Sequence, residues 1–527
     1  MGKKDFFLLT IFTLMGTFLR FYNLSWGEPY FFHPDERNIA SAITQLSFPS
    51  QMNPHFFAYG SIPIYVVSLF THSFKQAIIL GRFLSACCSL ALIPLLYLIG
   101  KKIHNTTTGL LTAFFATTSV GFIQYAHFST FEMWLTFFGT VLFYFCLCFF
   151  QKPTMQTLVF IGCTIGILCG IKVSSIVLLV PVMILLFFTS WYKNVSIFVK
   201  IKNFAFSNSI MLFFGLFIFL VTNPFVLLSE NEFITSMYYE SSVVLHTLPV
   251  FYTQGFNDTT PILYQFLHIF PFLLNPLLLI IFIPSFVYVL YKSITKRWFS
   301  FFLLILFFIT LLCSQEFFYA KWTRYMIPTL PFIYIVCAIM LTDISTYFYT
   351  KNKIGKIFIN ILLSTLILTC SFYAICFVST VYQKDSRIEA MEWAKSNIPS
   401  DTPILSEVYD LGIVPFNATH PNITLFNFYD LDSDNIVREN FQKEITHTSF
   451  VILPSQRIIK TRLQNPKQFP NGYSFYTSLL SEKNYQKIYE TPCDIFCKIV
   501  YMGDPIFALE ETTTVFDRPV IFIFKKI

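Results

Sequence analysis

The feature that most restricts this chain is a succession of long apolar runs separated by short charged ones. A membrane-crossing helix needs ~20 apolar residues, because hydrocarbon offers no partner to a free backbone N–H or C=O. Eleven runs come close to that length: 6–22, 78–100, 108–126, 132–150, 155–171, 173–191, 205–222, 263–291, 298–314, 325–342 and 357–380. Charged residues make up 12% of the chain, about half the soluble norm, hydrophobic residues 55%, and Phe alone occurs 67 times. A disordered chain, a collagen-like fibre and an ordinary soluble enzyme are thereby excluded. The expected fold class is an α-helical polytopic membrane protein of about 11 transmembrane helices. The stretch 55–70 is also apolar, but Gly60 and Pro63 interrupt it, so it reads as an interfacial segment.

Orientation follows from the placement of Lys and Arg. With the N-terminus in the cytoplasm, the inner segments hold Lys3, Lys4, Lys101, Lys102, Lys152, Lys193, Lys200, Lys202, Lys292, Lys296, Arg297, Lys351, Lys353 and Lys356. The acids on that side are Asp5 and Asp343, whereas the outer segments hold Glu28, Asp35, Glu36, Glu132, Glu230, Glu232, Glu240, Asp258 and Glu316. Arg20 and the lack of a small-residue cleavage site make the first run an uncleaved span rather than a signal peptide. Residues 1–380 carry 21 Lys+Arg against 11 Asp+Glu, whereas 381–527 carry 15 against 18. The basic excess is scattered between spans, so it sets topology and is not a nucleic-acid footprint. The reading is a multi-pass plasma-membrane protein, or an ER-membrane protein in a eukaryotic host.

Residues 1–380 read as the membrane domain, with a first outer loop at 23–77, and residues 381–527 as an extracytoplasmic soluble α/β domain. In the latter, Ser386-Arg-Ile-Glu389 has the form of a capping box ahead of a helix closed by Pro399. Pro403–Leu405, Phe450–Leu453 and Pro519–Phe524 read as strands. Of the 12 Cys, only Cys493 and Cys497 lie in the polar tail, where they can pair if that tail faces an oxidising compartment. No zinc-ligand spacing occurs.

Polar groups concentrate on the outer face. The first loop contains His33-Pro34-Asp35-Glu36-Arg37. A carboxylate at the membrane boundary can take a proton from a hydroxyl nucleophile, and two neighbours can divide that work with orienting the acceptor or a cation. Glu132 opens an apolar helix, a costly place for a carboxylate without partner or function. Lys172 ends the fifth span, where snorkelling to the surface is the ordinary explanation. Lys321 and Arg324 lie three apart at the entry to the tenth span, next to Trp322 and Tyr325. Such a pair can hold a phosphate or simply anchor the interface. Arg82 is a further cation near a span end. Carboxylates together with separated cations are what removing a sugar from a lipid phosphate needs.

Two stretches, His33-Pro34-Asp35-Glu36 and Asn53-Pro-His-Phe-Phe-Ala-Tyr59-Gly60-Ser-Ile-Pro63, resemble the first outer loop of GT-C membrane glycosyltransferases. The resemblance is to the protein O-mannosyltransferase-like branch and the bacterial aminoarabinose transferases. Gly81-Arg82, His127 through Phe138, Gly170-Ile-Lys172, Thr222-Asn223-Pro224-Phe225, Tyr252-Thr253-Gln254 and Lys321 through Pro331 are similar to later landmarks of bacterial members. So are Asp385-Ser386-Arg387 and the run Glu510 through Pro519, which together extend the resemblance over nearly the whole chain. It implies an inverting transferase that moves a sugar, a hexose such as mannose, from a polyprenyl-phosphate donor to an acceptor hydroxyl on the outer face of the membrane. It also implies Asp35 as general base with Glu36 beside it, and His33, Arg82, His127, Glu132, Lys172, Lys321, Arg324 and Tyr325 as substrate-binding residues. Glu132 stands where many relatives have Asp, and Arg518 where relatives carry His.

Two other functions fit a chain of this composition. An oligosaccharyl transferase of the same architecture would use a pyrophosphate donor and usually a divalent cation. Asp35, Glu36 and Glu132 are oxygen-rich enough to leave Mg²⁺ or Mn²⁺ open, although the ligand spacing points to no cofactor and no metal site. A lipid-linked sugar flippase or transporter would place ionisable groups near the midplane, not at one boundary. The expected partners are the donor lipid, membrane lipid and a hydroxyl-bearing protein, lipid or polysaccharide acceptor.

Overall fold

A computed structural model describes residues 2–191, 195–295, 299–351 and 353–527. Lys193, Lys296 and Arg297, assigned above to the inner side, lie outside the described residues. Among the described residues, seven helical stretches are long and apolar enough to cross a membrane: Phe74–Ile103, Glu132–Gln151, Val173–Trp191, Ile197–Thr222, Pro276–Thr295, Thr323–Lys351 and a stretch beginning at Lys353. An eighth arises if Thr106–Thr117 and Val120–Ala126, bent by 51°, form one crossing. Met155–Ile171 and Phe299–Gln315 are apolar but shorter. The chain is a multi-pass helical membrane protein, and the expected count of eleven is not reached on length and composition.

The run 263–291 departs most from expectation. It breaks into Leu263–His268, Phe270–Leu274 and Pro276–Thr295. Pro276 disfavours helix at Asn275, which adopts φ +64° and caps the following helix by accepting the Leu278 N–H at 3.0 Å. The apolar stretch 55–70 contains only the helix Ser61–Ser68, 8 residues long. At about 1.5 Å per residue it is too short to cross, as the interfacial reading anticipates.

The bend after Thr117 explains Arg20. A broken helix in a membrane leaves carbonyls that need a donor. The buried Arg20 guanidinium donates to Ala116 O at 2.6 Å and Thr117 O at 3.0 Å, and to Ser89 Oγ at 2.8 Å. It thereby ties the helix Lys3–Phe21 to the break. At the opposite end of the bundle, Asp343 accepts from Lys292 Nζ at 2.6 Å and Tyr288 OH at 2.9 Å, joining two helices whose Lys and Asp were both assigned to the inner side.

The tail forms a five-stranded sheet: β1 (Ile404–Glu407), β2 (Ile423–Phe426), β3 (Phe450–Leu453), β4 (Tyr485–Glu490) and β5 (Phe522–Lys526), in the order β2-β1-β3-β5-β4. β1 runs parallel to β2 and β3, while β5 is antiparallel to β3 and β4. Buried β1, β3 and β5 are the strands expected from apolar runs. The other two are half-exposed edges: β2 has a single polar residue, Thr424, within only four residues, and β4 mixes Gln486, Lys487 and Glu490 with its apolar residues, so neither gives a clear run. The helix after the last span covers Ser386–Asn397, but its cap is Asp385, whose carboxylate accepts the Arg387 N–H at 2.9 Å, rather than Ser386. Cys493 and Cys497 form a disulfide.

Candidate active site

Asp35 and Glu36 are adjacent in sequence yet part company in space. His33 stands at the N-cap position of the helix Pro34–Thr44, and Pro34 at its first position pre-sets the turn. Successive helical residues point about 100° apart, so only one of the two carboxylates can face the cavity. That one is Asp35. Its Oδ2 accepts from Arg324 Nη1 at 2.6 Å and from Tyr59 OH at 3.1 Å, and Arg324 Nη1 also reaches Tyr59 OH at 3.2 Å. The Asp35 side chain keeps 29% of its surface exposed to the cavity. Burial alone would push its carboxyl up, but the Arg324 guanidinium, His33 and the Tyr59 hydroxyl outweigh that and hold it below the ordinary aspartate value. Burial pushes the neighbouring His33 imidazole down, against the pull of Asp35, Glu36 and Glu132, and its Nδ1 has no hydrogen-bond partner among the described residues.

Glu36 is fully buried in the opposite direction. Arg82 grips it at both oxygens, Nε to Oε1 at 2.8 Å and Nη2 to Oε2 at 2.6 Å. The Ser129 N–H donates to the same Oε1 at 2.5 Å. Arg82 also donates to Leu24 O and Trp26 O, each at 2.8 Å, and lies 4.1 Å from the Trp26 ring centroid. The Glu36–Arg82 pair thus ties the first outer loop to the helix Phe74–Ile103, and neither residue lines the cavity.

The cavity has a volume of about 740 Å³. It is lined by His33, Asp35, Tyr59, Glu132, Lys172, Glu240, Arg324 and Tyr325 among others. Lys172 is turned inward instead of snorkelling away, with its ammonium 5.6 Å from the Tyr59 ring and 5.2 Å from the Tyr325 ring. The first loop is held against it by close backbone approach. Gly60 N–H donates to Ile171 O at 2.8 Å, and a Cβ on Gly60 would lie 2.0 Å from Gly170 O. Asn223, from the Asn-Pro-Phe landmark, accepts the Ser61 N–H at 2.7 Å and fixes the same loop.

Glu132 is 2% exposed, and neither carboxylate oxygen has a hydrogen-bond partner among the described residues. Such a group costs stability, only partly offset by the N-terminus of the helix it opens. Glu132→Met is therefore expected to raise stability by roughly 1–3 kcal/mol, by removing a buried unsatisfied group, while lowering turnover. Thermal melting in detergent and a transfer assay, run side by side, check both halves.

A narrower crevice shares Glu132, Lys172, Arg324 and Tyr325 with the cavity and continues along Leu135, Gly139, Leu168, Leu178 and Leu311. Its walls are membrane helices.

Two further sequence candidates lie outside the cavity. His127 is buried, with its ring nitrogens 2.8 Å from Ile123 O and from Tyr22 O, and it stacks on Tyr382 at 3.8 Å. Lys321 is buried and donates to Tyr319 O at 3.1 Å. Both help to pack the outer segments together. Several residues lining the cavity had not been singled out: Tyr59, Glu240, Tyr252, Tyr409, Arg457 and Phe516. Tyr59, Tyr252 and Phe516 fall inside quoted motifs, whereas Tyr409 and Arg457 come from the tail and carry no local signal. Burial pushes the Glu240 carboxyl up, against the pull of Arg324 and Lys172. Arg518, the second departure from the family pattern, donates from the tail to Thr380 O at 3.2 Å and lies away from the cavity.

Among the described residues no three His, Cys, Asp or Glu side chains come together to hold a metal ion. Asp35 Oδ2 is taken by Arg324 and Tyr59, and Glu36 by Arg82.

The helical bundle with its cavity and appended sheet shares its fold with a solved membrane oligosaccharyltransferase. Residues 61–220 match the family model described as dolichyl-phosphate-mannose-protein mannosyltransferase. The apo crystal structure of the oligosaccharyltransferase of Archaeoglobus fulgidus is similar at a TM-score of 0.59 and 12% identity, over 99% of this chain and 88% of that one. The same figures hold for that enzyme, AglB, in complex with an inhibitory peptide and a dolichol-phosphate. ArnT of Cupriavidus metallidurans in the apo state is similar at a TM-score of 0.48 and 13% identity, over 87% of this chain and 94% of that one. No curated protein sequence matches the chain.

Proposed function

We propose that the protein is an inverting glycosyltransferase that moves a sugar, a hexose such as mannose, from a polyprenyl phosphate to an acceptor hydroxyl on the outer face of the membrane. The observation that carries this reading is the meeting of Asp35, Arg324, Lys172 and Glu132 in one cavity that continues into a crevice between membrane helices. The polyprenyl chain lies in the crevice and delivers its phosphate to Lys172 and Arg324. The planar guanidinium of Arg324, which lines the cavity, can hold two phosphate oxygens at once. The acceptor enters from the side of the tail, past Tyr252, Tyr409 and Arg457, with residues 381–527 acting as a cap domain. Asp35 takes the proton of the acceptor hydroxyl as its oxygen attacks the anomeric carbon. The bond from that carbon to the phosphate oxygen breaks on the opposite face, and the cations stabilise the charge left on the carrier. In this reading the N-terminus is cytoplasmic.

Asp35 is ionised at neutral pH because its pKa is lowered, so kcat/KM falls only as pH drops through that lowered value. Tyr59→Phe removes a hydrogen bond to the charged form and raises the pKa. The acid limb of the pH–rate profile then moves to higher pH, by about half a unit or more. An unmoved limb contradicts the assignment of Asp35 as the titrating base.

Mass spectrometry of cell-envelope glycans and glycoproteins, with and without the gene, tests the function. The loss of one hexose from a defined glycoconjugate is expected. An unchanged glycan profile with altered distribution of a lipid-linked sugar across the membrane would favour a flippase.

A further inference from the structure

The run Glu510 through Pro519 is part of the tail, yet it packs into the membrane half beside both members of the Asp35–Arg324 pair. Glu510 is buried, and its Oε2 accepts from Thr323 N–H at 3.1 Å and Thr323 Oγ1 at 2.7 Å. Thr323 is the first residue of the short helix Thr323–Thr329 and immediately precedes Arg324. A carboxylate there satisfies a free N–H at a helix start. Six residues on, Phe516 packs against the His33 ring at 4.2 Å, pressing it toward Phe128 at 4.8 Å. His33 stands at the N-cap position of the helix that carries Asp35, two residues before it. Between these contacts, Gln124 in the membrane half donates to Thr513 O at 3.2 Å and Asp517 Oδ2 at 3.0 Å, which stops the segment from sliding.

We infer that residues 510–517 form a strap through which the tail sets the geometry of the catalytic pair, with Glu510 as the positioning residue for Arg324 and Phe516 as that for the helix of Asp35. The inference rests on the donor-binding role proposed for Arg324. It gives the tail a part in the reaction centre that a simple cover over the outer loops would not have. Without Glu510, the start of Thr323–Thr329 loses its acceptor and Arg324 is no longer aimed at one point. A misplacement of about 1 Å at such a group is enough to cost 100-fold in rate.

The test uses full-length protein in nanodiscs and undecaprenyl phosphate, the carrier without its sugar, as the probe. Affinity is measured for the wild type, Glu510→Ala, Glu510→Gln, Arg324→Ala and the Arg324→Ala/Glu510→Ala double variant. Glu510→Ala is expected to weaken binding about tenfold. Glu510→Gln keeps an acceptor for Thr323 and is expected within about threefold of wild type. In the Arg324→Ala background the second change is expected to add less than about twofold, because residues acting through one another are not additive. Equal weakening by Glu510→Ala in both backgrounds overturns the strap proposal and leaves Glu510 as fold cement. Wild-type protein that does not bind the carrier, or an Arg324→Ala variant that binds it normally, overturns instead the donor-site reading beneath it.

Discussion

Asp35→Asn is expected to abolish transfer, by a factor of about 10²–10⁴, in a protein that still folds. The substitution is nearly isosteric, and the amide oxygen can keep accepting from Arg324 and Tyr59, which now hold Asp35 Oδ2 at 2.6 and 3.1 Å. What it removes is the negative charge and, with it, the capacity to accept a proton. The measurement pairs thermal melting of the purified variant with glycan mass spectrometry of cells that carry it in place of the wild type. Melting at the wild-type temperature with the envelope glycan missing is the expected combination. Full glycan levels in cells bearing the variant would remove Asp35 from the chemistry.

The next residue is expected to fail in the opposite manner. Glu36→Ala leaves Arg82 fully buried without its carboxylate, and breaking a buried pair in this way costs roughly 3–5 kcal/mol. Little folded protein should reach the membrane, so activity falls through abundance, not turnover. Replacing both partners with apolar residues, as in Glu36→Met/Arg82→Met, should recover much of the lost abundance, because no charge is then stranded. If Glu36→Ala instead yields wild-type amounts of well-folded, inactive enzyme, Glu36 belongs to the reaction and the division of labour between the two carboxylates is wrong.

That division shows where reading the chain by itself stops. Asp35, Glu132, Lys172 and Arg324 were legible because a charge beside an apolar run is costly, and such charges attract attention wherever they stand. Glu36, Arg82, His127 and Lys321 satisfy the same test, yet they do not line the cavity. The difference between Asp35 and Glu36 is a rotation of about 100° about one helix axis, and no composition or spacing encodes which of them faces a cavity. Tyr409 and Arg457 were invisible for another reason: the tail has to fold over the outer loops before they approach Asp35. The membrane architecture was easier to read, since lipid leaves the backbone few choices. It failed where Asn275-Pro276 interrupts an apolar run, and the edge strands β2 and β4 were missed because they are short and half-exposed.

The position of the lipid carrier's phosphate decides whether Lys172 and Arg324 bind the donor beside Asp35. A cryo-electron microscopy structure of the full chain with undecaprenyl phosphate locates it directly. The phosphate is expected within hydrogen-bonding reach of Lys172 and Arg324, a few ångströms from Asp35, with the isoprenoid chain running down past Leu135, Gly139 and Leu311. A phosphate bound at the far end of the bundle beside Lys292, or in a crevice remote from Asp35, would contradict it.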